Sequence, residues 1–577
     1  MQKNGSEILM ECLLEQGVDC VFGYPGGAVL NIYDALYKYS DRIRHVLTAH
    51  EQGAAHAADG YARATGKVGV CIATSGPGAT NLVTGIATAY MDSVPIVAIT
   101  GNVSVPLLGR DSFQEVDITG VTLPITKHNF IVKRVEDLAD TIRQAFLIAR
   151  SGRPGPVLVD IPKDVTGTLA EYTPAQPEKK RPCPPPKAER IDTARELLKG
   201  CRQPLIYFGG GVISSDAEQE LLALAEQQDI PVCSSMMGLG GFPPEHRLWL
   251  GMVGMHGTYA ANKAARECDL LLVCGARFSD RVAGNRTQFA PHAQVVHLDI
   301  DHAEFDKNVK AAVRVGGDLK QSLAALLQGL PTTAHHDWTS EVLSWKKAVA
   351  LPTQPEDALP DPLTVLKTLR RLTDDNTVMV TDVGQHQMWT AQYYDVRRAR
   401  GFLSSGGLGT MGYGMGAAIG AQFGRPHDRV VLVSGPSMRE TLQHQDCLLV
   451  MNAHLCGGFE AGDIVIIRKE SFKDGEPIVK RVIATEGQTV DIDYDAGTVA
   501  VDGQVLDEPY IHEAMLCPTY ENQTHIEVPE GSIFVMGDNR NHSSDSRDVT
   551  LGTVDTRYLL GKAEFICFPF SDFGRIG

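Results

Sequence analysis

The hydrophobic pattern of this chain changes its period once, near residue 435. Before that point, short apolar runs alternate with helical stretches, as where Val68 to Ala73 breaks at a glycine turn and a helix is expected from Ala79. From Gly462 onward apolar and polar residues alternate, and Asp502-Gly503 is a hairpin signal. Strands alternating with helices predict parallel sheets, whereas a period of two predicts antiparallel ones. We therefore predict a multidomain chain: doubly wound α/β domains followed by a mostly antiparallel β domain.

A chain of 577 residues is too long for one ordinary domain. Residues 173–190 are rich in proline and charge, which is typical of a linker, and residues 332–362 are predicted to be a second connecting stretch. The predicted divisions are a first α/β domain at 1–170, a linker at 171–190, a central α/β domain at 191–331, a linker at 332–362, a truncated third α/β domain at 363–435 and the β domain at 436–577.

Composition and charge exclude several classes of protein. The formal net charge of -17 disfavours a nucleic-acid or anionic-membrane partner. The 12 cysteines include no C-x-x-C pair, so neither a zinc site nor a disulfide framework is indicated. The first residues show no signal-peptide core, and no run is apolar enough to cross a bilayer. We expect a cytoplasmic chain with reduced thiols and no membrane span.

Three motifs of the first half belong together. They are H-E-Q-G-A-A-H at 50–56, T-S-G-P-G at 74–78 and F-Q-E at 113–115. In this order, and with their neighbours over residues 5–435, they closely resemble the large subunit of acetolactate synthase. The resemblance implies a homodimer formed through the N-terminal domains, and it implies thiamine diphosphate, Mg²⁺ and FAD as cofactors. It also implies a transferase of branched-chain amino-acid biosynthesis that joins two pyruvate molecules.

The same resemblance gives roles to single residues. It implies that Glu51 hydrogen-bonds the aminopyrimidine ring of thiamine diphosphate and drives its tautomerisation. The other implied roles are substrate contact by Phe113, Gln114 and Lys127, FAD binding near Arg277, the start of the diphosphate-binding domain at Gln385 and His386, and the bend of the cofactor at Met411.

The diphosphate side of this implied site is incomplete in the sequence. A diphosphate needs Mg²⁺ held by oxygen ligands. The family supplies them from a Gly-Asp-Gly…Asn stretch after the strand that corresponds to Val430–Val433, but here Ser434-Gly435-Pro436 follows. We therefore expect no complete metal site and no carboligase activity from this chain alone. An active acetolactate synthase and a catalytically silent, artificial join remain the alternatives.

The second half carries another ordered set of motifs. They are S-M-R-E-T at 437–441, V-K-R-V at 479–482, G-D-N-R at 537–540 and S-S-D-S-R at 543–547. Together they closely resemble the catalytic domain of a bacterial type I signal peptidase, a serine hydrolase, from residue 434 to the end. The family is normally membrane-anchored. The resemblance implies peptide substrates like signal peptides and no cofactor.

The chemistry of such a peptidase needs a serine beside a neutral lysine. A serine hydroxyl is a weak nucleophile, and a lysine can take its proton only if burial lowers the lysine pKa far below its usual ~10.4. Lys480 lies in an apolar strand, as this requires. The resemblance implies Ser437 as nucleophile, Lys480 as general base, Ser543 as the hydroxyl that orients the lysine, and Asp538, Asp545 and Arg547 as supports. A peptidase with this Ser–Lys dyad, fused to an inactive synthase-like module, is the predicted function.

Overall fold

The computed structural model describes the chain except for residues 178–180, 286–287, 349–361, 431–446, 453–457, 470–471, 473–476, 512–514, 517–522, 569–573 and 576–577. The chain divides into two compact units: Met1–Pro352 with Leu366–Asp428 form the first, and Thr353–Val365 with Arg429–Gly577 form the second. No helix within the described ranges is long and apolar enough to cross a membrane.

The first domain is a parallel sheet between helices, as predicted. Its sheet has six strands in the order β3-β2-β4-β5-β7-β6, and all pairs are parallel. Its elements are β1 Gln2–Asn4, α1 Gly5–Glu15, β2 Cys20–Gly23, α2 Leu30–Lys38, β3 Arg44–Leu47, α3 Glu51–Thr65, β4 Gly69–Ala73, α4 Pro77–Asn81, α5 Val83–Met91, β5 Ile96–Asn102, α6 Ile118–Thr122, β6 His128–Ile131, α7 Leu138–Arg150, β7 Val157–Pro162, α8 Lys163–Gly167 and β8 Leu169–Glu171. Its central strands are buried on both faces, which explains their uninterrupted apolar sequences.

The central domain repeats this architecture. Its six parallel strands run in the order β11-β10-β9-β12-β13-β14. Its elements are α9 Ala188–Gly200, β9 Pro204–Phe208, α10 Gly210–Ser214, α11 Glu218–Gln228, β10 Val232–Ser234, β11 Trp249–Met252, α12 Tyr259–Glu267, β12 Leu270–Cys274, α13 Asp280–Ala283, β13 Gln294–Asp299, β14 Val313–Gly316, α14 Leu319–Leu327 and α15 His336–Ala348.

Helix α15 departs from the predicted linker at 332–362. Trp338, Val342 and Trp345 lie on one face of the helix and are buried in the core of the central domain. Trp338 Nε1 also donates to the Pro204 carbonyl at 2.9 Å. The apolar spacing of four and three residues favours a helix docked on the sheet, so this stretch belongs in part to the central domain.

The third domain is described through residue 430. It comprises α16 Pro362–Leu372, β15 Met379–Val380, α17 Gln385–Tyr393, β16 Phe402–Leu403 and α18 Tyr413–Gly424, and β15 and β16 form a parallel pair. Most of the predicted strand Val430–Val433 lies outside the described residues. Helix α18 packs along α3 in the same direction, since Gly416 lies against His56, Gly420 against Ala57 and Gly424 against Thr65.

The second unit is antiparallel, as its alternating sequence predicts. A seven-stranded sheet has the order β17-β26-β18-β19-β24-β25, with β27 paired to β26, and a smaller sheet has the order β22-β21-β20-β23. The strands are β17 Cys447–Asn452, β18 Ile464–Ile467, β19 Ile478–Thr485, β20 Thr489–Asp493, β21 Thr498–Val501, β22 Gln504–Val505, β23 His525–Glu527, β24 Ser532–Met536, β25 Val554–Asp555, β26 Leu559–Phe568 and β27 Gly574–Arg575. Val490 and Ile492 are buried and Asp493 is exposed, so the alternating aspartates form the outer face of a hairpin.

Candidate active sites

Glu51 lies at the switch point of the first sheet. From β2 the chain places β3 on one side and β4 on the other, and ligands of open α/β sheets bind in the crevice at such a point. Glu51 opens α3, the helix that follows β3, and His50 caps this helix by accepting the Gln52 backbone N–H at 3.1 Å. The positive end of the helix dipole favours a carboxylate there.

The Glu51 side chain is buried and held on one side. The residue is 7 % exposed, and Asn81 Nδ2 donates to its Oε2 at 2.9 Å. A Cβ at Gly78 would lie 3.0 Å from Oε1, so the T-S-G-P-G turn passes close to the carboxylate. Among the described residues Oε1 accepts no hydrogen bond, so it remains available to a ligand.

The loop that carries Phe113 and Gln114 lies against the same turn. A Cβ at Gly76 would lie 2.7 Å from the Gln114 carbonyl oxygen, a contact that only glycine permits. Phe113 is 88 % exposed. Glu115 holds the loop by accepting the backbone N–H groups of Gly109 and Ser112, the latter at 2.9 Å, and these bonds lower the Glu115 pKa. The structure thus brings Glu51, Phe113 and Gln114 to one turn.

Lys127 takes a different place from the one expected. Its Nζ donates to the carbonyl oxygens of Ile148 and Ser151, the latter at 2.6 Å, at the end of α7. Carbonyls at a helix C-terminus lack intrahelical partners and attract a cation. Lys127 therefore caps α7 in this structure, and its contact with substrate stays a prediction.

Two carboxylates that sequence reasoning passed over hold the loop before α18. Asp92 accepts the backbone N–H groups of Gly406 and Gly407 at 3.0 and 2.7 Å. Asp382 accepts those of Gly412 and Gly414 at 2.9 and 3.0 Å. Met411 projects between these anchors and is 77 % exposed. Because α3 and α18 run in the same direction, Met411 lies at the same end of the helix pair as Glu51.

Arg63 connects α3 to two distant segments of the first unit. Its guanidinium pairs with Asp59 at 2.5 Å and with Asp92 at 3.0 Å, and it donates to the Ser404 carbonyl at 3.0 Å. Tyr413 Oη donates to Asp59 at 2.7 Å. Asp59 lies one helical turn before Arg63, but Asp92, Ser404 and Tyr413 are distant in sequence, so local patterns do not predict the cluster.

Three predicted residues of the first unit remain: Gln385, His386 and Arg277. Gln385 and His386 open α17, and burial lowers the pKa of His386. Arg277 follows β12 at the switch point of the central sheet and donates to the Met91 carbonyl at 2.7 Å. The backbone N–H groups of Gly209 and Gly211 bond the carbonyls of Cys274 and Gly275 at 3.1 and 3.0 Å, so this glycine turn joins two strand ends.

In the second unit, Lys480 lies inside the seven-stranded sheet. The residue is 2 % exposed on β19, between β18 and β24, and its Nζ donates to the Val479 carbonyl at 2.8 Å. Burial of this kind is what a lysine general base requires. Ser437 lies outside the described residues.

The predicted supports surround the loop after β24. Asp545 receives two bonds from Arg547, each of 2.8 Å, and one from the Gly537 N–H at 3.0 Å. Burial opposes ionisation of Asp545, but Arg547 outweighs it and Lys480 adds to its effect, so the pKa of Asp545 is lowered. Ser543 is 5 % exposed, and its carbonyl oxygen lies 3.5 Å from Arg547 Nη2. Asp538 pairs with Arg481 at 2.8 Å.

The fold and the matching sequence profiles define the class of the first unit: the thiamine pyrophosphate enzymes. Sequence profiles described as the N-terminal TPP binding, central and C-terminal TPP binding domains of thiamine pyrophosphate enzymes match residues 3–121, 191–326 and 382–438. The chain belongs to the family of acetolactate synthase large subunits. A profile described as signal peptidase, peptidase S26, matches residues 427–568.

The relatives support this assignment by high identity. The acetolactate synthase large subunit of Parasynechococcus marenigrum is 51 % identical over 443 residues, which is 75 % of this chain and 72 % of that protein. A probable acetolactate synthase large subunit of Methanocaldococcus jannaschii is 49 % identical over 447 residues, 75 % of each chain. The isozyme 2 large subunit of Escherichia coli (strain K12) is 48 % identical over 438 residues, 75 % of this chain and 78 % of that one.

Proposed function

We propose that the first unit is a thiamine-diphosphate-binding module of the acetolactate synthase type, directed at 2-oxo acids such as pyruvate. One observation carries the proposal: the buried Glu51 carboxylate offers one oxygen at the switch point while Asn81 holds the other at 2.9 Å. An aminopyrimidine ring nitrogen is a matching partner, because a carboxylate and a ring nitrogen can share a proton.

The module's own residues would bind and orient the cofactor and the substrate. Bound thiamine diphosphate would supply a carbon nucleophile that adds to the 2-oxo carbon of pyruvate. Glu51 Oε1 would exchange a proton with the aminopyrimidine nitrogen, and Asn81 would keep the carboxylate in position. Phe113 and Gln114 lie beside this turn and would contact the substrate, while Met411 would support the cofactor from the start of α18.

The described residues do not offer a matching site for Mg²⁺. Within the described residues no three carboxylate, imidazole or thiol side chains lie together as a metal site. The sequence after Val433 offers Ser434, Gly435 and Pro436, none of which carries a carboxylate. We expect the module to hold its cofactor mainly at the aminopyrimidine end and to form acetolactate slowly or not at all.

FAD is proposed for the central domain on the resemblance and on its switch point at Arg277. The backbone N–H groups of Gly209 and Gly211 already donate to the carbonyl oxygens of Cys274, at the end of β12, and of Gly275. A dinucleotide would therefore need other donors for its phosphates. Visible absorbance of flavin in the purified chain tests this, and its loss in Arg277→Ala beside an unchanged Arg281→Ala would support a site at Arg277.

For the second unit we propose a Ser–Lys peptidase of the signal peptidase type, acting on peptides with small residues before the cleaved bond. The buried Lys480 beside the Asp545–Arg547 pair favours it. Ser437 would attack the carbonyl carbon, and Lys480 would take its proton and later pass it to the leaving amine. A homodimer through the first domain remains a proposal.

Two assays on the full chain separate these functions. Cleavage of a signal-peptide-like substrate should be lost in Ser437→Ala and Lys480→Met and kept in Ser434→Ala. Thiamine diphosphate binding should be weakened in Glu51→Gln and kept in all three of those variants. If neither activity depends on its named residues, both proposals fail and the chain is a catalytically silent join.

A further inference from the structure

Five side chains of the second unit form a chain of contacts beside the Lys480 strand, and the Arg540 backbone N–H closes it by donating to the Asp538 carbonyl at 3.1 Å. Arg481 Nε and Nη2 donate to Asp538 Oδ1 and Oδ2 at 2.9 and 2.8 Å. Arg540 Nη1 and Nη2 donate to Glu508 Oε2 and Oε1 at 2.9 and 2.6 Å. Tyr510 Oη donates to Glu508 Oε1 at 3.0 Å, and its ring centroid lies 4.1 Å from Arg481 Cζ. We call this set the Glu508 ring.

The Glu508 ring is buried throughout its charged members. The side chains of Arg481 and Asp538 are 2 % and 0 % exposed, and those of Arg540 and Glu508 are 1 % and 6 % exposed. Burying charges is costly unless each is paired and hydrogen-bonded, and both pairs here are two-pronged. A hydrophobic set would fill this space at less cost, so the ring's specific geometry calls for a role beyond packing.

The ring joins the two segments that carry the proposed base and its orienting serine. Arg481 directly follows Lys480 on β19, and Arg540 lies three residues before Ser543. Glu508 and Tyr510 come from a third segment, after β22, and connect the two arginines. Arg547, which holds Asp545, also donates to the Arg540 carbonyl at 2.6 Å. Movement of Glu508 would therefore be passed to both sides of the site.

We propose that Glu508 and Tyr510 are positioning residues of the Ser–Lys site, which hold the Lys480 strand in register with the Ser543 loop. The proposal rests on the peptidase function proposed above. Among the described residues, Glu508 and Tyr510 form no hydrogen bond to Lys480 or Ser543, and each would act through the arginine it contacts. Misplacement of a base by about 1 Å is enough to lower a rate strongly.

The test uses the full chain and a signal-peptide-like substrate. Tyr510→Phe deletes only the hydroxyl, so it should fold, and we expect kcat to fall about threefold; Glu508→Gln should lower it about tenfold or more, as in loss of a charged hydrogen bond. KM should stay within about twofold. The acid limb of the pH profile should move to higher pH, because a looser ring admits water that favours protonated lysine. Asp555→Asn, which breaks an exposed pair with Arg557, is the control and should change none of these.

Two results would overturn the proposal. One is a kcat loss that vanishes after correction for the folded fraction, with an unshifted pH profile, which would leave only a structural role. The other is an unchanged kcat in Tyr510→Phe together with unchanged hydrogen exchange in a peptide spanning residues 535–547, where Gly537 N–H donates to Asp545. Faster exchange of this peptide in Tyr510→Phe would support the positioning role even if the parent chain cleaves no substrate. In that case only the proposed peptidase function fails.

Discussion

The packing of α3 against α18 gives a sharp prediction, because two glycines of the same helix face different surroundings. A Cβ at Gly60 would lie 2.1, 2.6 and 2.7 Å from the oxygen, Cα and carbonyl carbon of Ala417. These are backbone atoms, which no rotamer can move aside. A Cβ at Gly53 would meet nothing within 4 Å. Gly60→Ala should therefore destabilise the first unit, and Gly53→Ala should not.

The magnitude follows from two opposing terms. Overpacking a tight contact costs about 1–3 kcal/mol, and a clash with three backbone atoms belongs at the upper end. Replacing a helical glycine by alanine stabilises the helix by up to ~1 kcal/mol, because alanine has the higher helix propensity. The net for Gly60→Ala is about 2 kcal/mol of destabilisation, while Gly53→Ala should gain ~0.5–1 kcal/mol.

Thermal unfolding of the full chain, followed by circular dichroism, measures this difference. A change of 1 kcal/mol moves Tm by about 2–4 °C in a domain of this size, so Gly60→Ala should lower the first-unit Tm by ~4–8 °C. Gly53→Ala should raise it slightly. Equal Tm values for the two variants would refute the close approach of α18 to α3, and with it the placement of Met411 at the Glu51 end.

Three further predictions concern single groups. Asn81→Ala should weaken thiamine diphosphate binding at least tenfold in a fluorescence titration, since it frees the Glu51 carboxylate; unchanged affinity would reject that role. Arg547→Lys should destabilise the second unit by about 3 kcal/mol at pH 7 in urea unfolding. Because the pKa of Asp545 is lowered in the folded chain, this difference should shrink as pH falls below about 4; a constant difference would contradict the ion pair. Burial raises the pKa of Asp160 to about 6, so the folded state binds the proton more tightly and the parent should lose up to ~3 kcal/mol between pH 4 and 7, a loss that Asp160→Asn should not show.

The elements that the sequence predicts best are those set by local apolar period. The strand expected at Val68–Ala73 is β4, and the hairpin expected at Asp502-Gly503 joins β21 to β22. A strand buried on both faces has to be apolar throughout, and a hairpin has to alternate, so both leave a local record. Helix α15 also has a local signal in the sequence. Trp338, Val342 and Trp345 follow helical spacing, although the stretch is predicted to be a linker.

Pairings between distant segments cannot be predicted from local sequence patterns. Nothing local tells that Asp92 will accept the Gly406 and Gly407 N–H groups, or that Glu508 will meet Arg540. The bond from Lys127 Nζ to the Ser151 carbonyl is another such pairing, because the carbonyls at the end of α7 lack intrahelical partners.

Glu51 is proposed to form one half of a thiamine diphosphate site. The most direct measurement is a calorimetric titration of the full chain with thiamine diphosphate, beside Glu51→Gln and, as a control, Glu136→Gln, which alters an exposed carboxylate just before α7. We predict saturable binding that Glu51→Gln weakens at least tenfold and Glu136→Gln leaves within about threefold. We also predict that Mg²⁺ strengthens binding little, since no three-residue ligand group lies within the described chain. Absence of binding, or equal binding by parent and Glu51→Gln, would contradict the claim.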